Sequence, residues 1–124
     1  MPGLFGSGGI GDEVGDFSIS GKLNLGMPEE LTISSGAVLI TMSNHIIDTE
    51  ADAATDDLDT INGGDIGDLL IIRAVDNSRT VVVKDGGGNL RIDGDFSLTH
   101  VQDSMMLLFI GTNWVEISRS NNAS

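Results

Sequence analysis

The stretch Met105-Met106-Leu107-Leu108-Phe109-Ile110-Gly111-Thr112-Asn113-Trp114-Val115-Glu116-Ile117-Ser118 decides the fold class. Six apolar residues stop at Gly-Thr-Asn, a triplet that tolerates positive φ and can bond its own backbone, so a turn is expected there. Beyond it the pattern alternates. Trp114, Glu116 and Ser118 fall on one face, and Val115 and Ile117 on the other, which reads as a strand with one buried face. The unbroken run before the turn, like Leu69-Leu70-Ile71-Ile72, implies burial on both faces. In a chain of 124 residues the second covering is expected at a subunit interface.

Outward from this hairpin the same grammar repeats. Short apolar runs bounded by Gly, Asn and Asp fall at 31–35, 37–47, 69–75, 80–84, 89–92, 96–99, 105–110 and 114–118, with a weaker candidate at 17–25. The turns carry Asp76-Asn77-Ser78, Asp85-Gly86-Gly87-Gly88, Asp93-Gly94 and Gly111-Thr112-Asn113. These predict an all-β domain over residues 16–124, a small jelly-roll-like β-sandwich or barrel of about nine short strands joined as a meander of hairpins.

Two segments depart from this pattern. Residues 48–68 carry Asp48, Glu50, Asp52, Asp56, Asp57, Asp59, Asp65 and Asp68 with no base; this is a surface excursion, with one or two helical turns expected at 50–57. Residues 1–15 hold Gly at 3, 6, 8, 9, 11 and 15, interrupted by Leu4, Phe5, Ile10 and Val14. They read as an extended arm whose isolated apolar residues suit insertion into pockets on a neighbouring molecule.

Charge narrows the partners. Nineteen acids against six bases give a net charge of −13, and the first 62 residues hold a single base, Lys22. A sequence-independent grip on nucleic acid is therefore not expected. No apolar stretch approaches the roughly 20 residues that span a bilayer, so no membrane partner is expected either. The chain has no Cys, which removes disulfides, a thiol nucleophile and thiolate metal sites.

Motifs that carry chemistry are weak. Gly6, Gly8 and Gly11 spell G-x-G-x-x-G, but a nucleotide loop needs a preceding strand, and only five residues come before. Asp48, Glu50, Asp52, Ala54, Asp56 and Asp59 fall on calcium-loop spacing, yet Ala53 stands where Gly is required and Asp59 where a bidentate Glu is usual. His45 and His100 are too few for a His metal cluster, and His45 beside Ile46 and Ile47 is read as a structural histidine. No G-x-S-x-G elbow is present, and nineteen acids always provide some carboxylate pair. The reading is therefore no catalytic residue, no metal and no cofactor.

One longer pattern remains. Asp57-Leu58-Asp59-Thr60-Ile61-Asn62-Gly63-Gly64, Gly67-Asp68-Leu69-Leu70-Ile71-Ile72-Arg73-Ala74, Thr80-Val81-Val82-Val83-Lys84-Asp85-Gly86 and Gly88-Asn89-Leu90 occur in that order. They are followed by Asp95-Phe96-Ser97-Leu98 and by the closing Leu107 to Asn121 segment. Together they resemble a module of tailed-bacteriophage virion proteins, found in tail fibres, head fibres and capsid decoration proteins. The resemblance implies a structural virion protein and brings no catalytic residues with it. Neither collagen-like nor heptad repeats precede the module, which favours a head decoration (cement) protein over a fibre subunit. The expectation is a homo-oligomer, a trimer by preference, on the outer surface of the capsid, stabilising the lattice of the major capsid protein. Leu4, Phe5, Ile10 and Val14 are the expected capsid-binding anchors. Met105, Leu107, Phe109 and Trp114 are expected in the core or at the subunit contact. The alternative is a tail-fibre or receptor-binding module that presents loops 85–89 and 111–113 to a host surface.

Overall fold

A computed structural model describes residues 15–123. Its strands are β1 (Glu29–Thr32), β2 (Ala37–Leu39), β3 (Asn44–Asp48), β4 (Thr55–Leu58), β5 (Thr60–Asn62), β6 (Leu69–Ala74), β7 (Thr80–Val83), β8 (Leu90–Arg91), β9 (Phe96–Leu98), β10 (Ser104–Phe109) and β11 (Trp114–Ser120). The only helical element among the described residues is a 3₁₀ turn at Glu50–Asp52.

The all-β class holds, with the sheets packed around one core as in a small sandwich or barrel. The path of the chain is a coil of stacked turns. β1, β3 and β6 pair in parallel in one sheet, β2 and β5 in a second, and β4 and β7 in a third. Antiparallel pairing comes late: β9 joins β7, β10 joins β6, and β11 joins β10. The expected hairpin meander is thus corrected over residues 29–91, and only 105–118 keeps the hairpin read from the sequence. The turn residues act as coil corners. Asp76 Oδ1, for example, accepts the Ser78 N–H at 2.8 Å and bends the chain between β6 and β7.

Three local expectations also change. The 37–47 run breaks at a corner into β2 and β3, because His45 Nε2 accepts the Thr41 and Met42 N–H groups at 3.2 Å each and folds the chain back on itself. The helix expected at 50–57 is one 3₁₀ turn, since Ala51 and Asp52 take positive φ and the following residues enter β4 to pair with β7. Residues 17–25 have no strand partner and are mostly exposed.

The core is Ile33, Val38, Ile40, Ile47, Leu58, Ile61, Leu70, Ile72, Ala74, Val81, Val83, Leu90, Leu98, Met105, Leu107 and Trp114. Nearly every turn of the coil contributes at least one residue, so the turns stabilise one another by shared burial rather than singly. Four residues of the longer sequence pattern, Ile61, Gly64, Asn89 and Phe109, meet at Trp114. Its ring lies tilted against Phe109, with centroids 5.0 Å apart, and Nε1 donates to the Ile61 carbonyl at 3.1 Å. Asn89 accepts from Ile61 N at 2.9 Å and donates to Ile61 O at 2.7 Å, so its side chain pairs with β5 at Ile61 in addition to the strand partner β2. A Cβ at Gly64 would stand 2.7 Å from the Trp114 ring. The pattern is therefore a packing signature.

Candidate interaction surfaces

The surface excursion expected at 48–68 is corrected, because 55–58 and 60–62 form β4 and β5 and bury Leu58 and Ile61, and the acids of this segment are tied down within the chain. Arg79 reaches back across it, with Nε 3.1 Å from Asp48, Nη1 2.9 Å from Asp52 and Nη2 3.8 Å from Asp76. The Nε contact with Asp48 is ionic, because its N–H is not aligned to donate. Glu50 N–H is bound by Asp56, and Asp65 N–H by Asp68. The calcium-loop spacing does not become a shell of converging oxygens. Among the described residues no group of three or more His, Asp or Glu side chains is placed to hold a metal ion. A cleft of about 240 Å³ is lined by Ile40, Thr41, Met42, Ser43, Gly63, Asp65, Asp68 and Leu69. Its two carboxylates sit in a reciprocal turn, Asp68 N–H donating to the Asp65 carbonyl at 2.9 Å.

Other polar groups singled out from the sequence are committed to the fold. His45 is buried, and Nδ1 donates to the Glu29 carbonyl at 2.9 Å while Nε2 accepts its two N–H groups. This is the structural histidine expected. Arg119 grips Glu116 through Nε and Nη2 at 2.8 and 2.7 Å. The same guanidinium donates to the Asp93 and Gly94 carbonyls at 2.9 and 2.8 Å and lies over the Phe96 ring, which pins the 93–95 turn against β11.

Asp103 is the most enclosed carboxylate. Burial pushes its pKa up, but the Thr99 hydroxyl and N–H and the Asn122 and Ala123 N–H groups all donate to it, and the balance leaves it lowered. A lowered folded pKa contributes stability in full above the unfolded carboxylate value of about 4, and that contribution is lost as pH falls through the folded value. Asp103→Asn is expected to lower stability at neutral pH and to flatten the acid limb of a denaturant-midpoint profile. An unchanged slope below about pH 4 would refute this role for Asp103.

The expected contact residues separate by the parity of the strands. Met105, Leu107 and Trp114 are fully buried in the core of their own chain, and Phe109 packs partly buried beside them, so these are core residues. Their strand neighbours point the other way. Across β6, β10 and β11, Leu69, Leu108 and Val115 form one outer row, and Ile71, Met106 and Ser118 the next. Ile46 on β3 extends this face beside Arg73. The second burial expected from the unbroken apolar runs is therefore incomplete among the described residues: Leu69 is half exposed, and Ile71, Met106, Leu108 and Val115 are only partly covered. Ile117 sits where a bulge shifts the β10–β11 register, which breaks the alternation read from the sequence and leaves it exposed. The sequence reading named the inner half of the 105–110 run and neither half of 69–72, although period-2 parity distinguishes the two once one buried residue is fixed.

Leu4, Phe5, Ile10 and Val14 lie outside the described residues. Of the two loops expected to contact a host, 111–113 leaves Gly111 and Thr112 exposed, whereas 85–89 is tied to the fold at its ends. Asn89 is bound to Ile61, and Asp85 accepts the Ile92 N–H at 3.0 Å. No protein-family model matches the chain, and no curated protein sequence matches it.

Proposed function

We propose that the protein is a non-enzymatic structural protein of a tailed-bacteriophage head, a homo-oligomeric decoration protein that binds the outer surface of the capsid. The observation that carries this reading is the apolar outer face of β6, β10 and β11 on a chain of net charge −13. An acidic protein that leaves such a face only partly covered is fitted for association rather than for life as a free monomer. The likeness of residues 46–122 to virion modules supports the same class. Decoration is preferred to receptor binding because the 85–89 loop uses its polar side chains to hold the coil together.

In this reading residues 1–15 carry the grip on the shell through Leu4, Phe5, Ile10 and Val14, while the β domain carries self-association. Repeated weak grips from an oligomer add up to firm attachment on a lattice that presents many copies of the same site. Deleting residues 1–15 is expected to leave a folded protein of unchanged oligomeric state that no longer cosediments with phage heads. Retained cosedimentation would refute the arm's role.

A further inference from the structure

Residues 17–25 have the sequence of a strand and no sheet to belong to. Phe17, Ile19, Leu23 and Leu25 alternate with Ser18, Ser20, Lys22 and Asn24, the pattern of a strand with one buried side. Yet Phe17 is 62% exposed and Leu23 68%. Among the described residues no hydrogen bond joins 15–23 to the body, and Gly26, with φ +84, turns the chain away before β1 begins. Among the described residues the same chain carries an apolar sheet face that is only partly covered, with Leu69 half exposed. We propose that residues 17–25 of one copy lie as a strand across the outer face of β6, β10 and β11 of a second copy, Phe17, Ile19 and Leu23 packing on Leu69, Met106 and Leu108.

Size and charge both commit the face to this occupant. Nine extended residues span about 30 Å, and strands in a sheet lie about 5 Å apart, so one segment crosses the whole face. Lys22 is the only charged residue between 17 and 25, whereas residues 26–124 hold sixteen acids and five bases. A segment of charge +1 therefore approaches a strongly acidic body, and the outer rows of β6, β10 and β11 from Leu69 to Ile71 contain no carboxylate to be buried. The contact is segment to sheet, so that each copy in a closed assembly both gives a segment and receives one.

This deepens the homo-oligomer part of the proposed function, and its test makes no use of phage heads, so either can fail without the other. The chain lacks Cys, and single Cys residues can therefore report contacts cleanly. Ile19→Cys protein mixed with Met106→Cys protein under mild oxidation is expected to give a disulfide-linked dimer containing one of each. The full-length Phe17→Ser/Leu23→Ser variant, altered only at exposed positions, is expected to sediment as a monomer with an unchanged circular dichroism spectrum. Three results would overturn the proposal: wild-type protein that sediments as a monomer, a double variant that stays oligomeric, or a chain carrying both Cys residues that links only within itself.

Discussion

Trp114→Ala is expected to be among the most destabilising single substitutions in the protein, with a loss of about 4 kcal/mol. The indole is fully buried and sits where three parts of the coil meet. It stacks on Phe109, covers Gly64 and donates to the Ile61 carbonyl. Truncation opens a cavity that backbone on two sides cannot fill, and it leaves Ile61 O with only the Asn89 amide. Against a total stability of roughly 5–15 kcal/mol for a small domain, a loss of that size lowers the denaturation midpoint steeply. Trp114→Phe keeps most of the burial and gives up the Nε1 hydrogen bond, a cost of about 1 kcal/mol. Urea titrations of the three proteins check the order. An Ala variant within about 1 kcal/mol of wild type would mean that Trp114 does not anchor the coil.

The second large effect is expected at a glycine. A Cβ at Gly88 would lie 2.1 Å from the Asp59 carbonyl oxygen and 2.8 Å from its carbon, both backbone atoms that cannot swing away. Gly88→Ala must push the 86–89 segment away from Asp59 and Thr60, and it displaces Asn89 from its two bonds to Ile61 at the same time. The expected cost is about 3 kcal/mol. Gly87→Ala is the matched control, because its nearest neighbour is Asp59 Cβ at 3.9 Å and its φ is not in the left-handed region. Thermal melts of the pair should differ by many degrees. Equal melting temperatures would show that the turns are not stacked as described.

These two sites also show what the sequence made legible. Composition and period-2 patterning announced strands, and the runs at 69–75, 80–84, 105–110 and 114–118 reappear as β6, β7, β10 and β11 within a residue or two. Parallel stacking was not legible, because the turns differ in length. Glu29 pairs with His45, His45 with Ile72, and Thr55 with Thr80, so no constant repeat marks the coil. Nor could local pattern foresee that the Asn89 side chain would act as a strand, or that Arg79 would neutralise acids some thirty residues earlier in the chain. Both are long-range partnerships that only the closed coil brings together. The outer sheet face was half legible. The unbroken apolar runs announced a second buried side, but which residues occupied it required knowing that Met105 and Leu107 point inward.

The central claim is that this protein coats a phage head, and the most direct test is saturable binding of the full-length chain to purified heads that lack it. Binding that plateaus at a fixed ratio to the major capsid protein is the expected result. No binding to heads, with the protein found instead at the tail tip of intact virions, would contradict the claim and return the reading to a receptor-binding module.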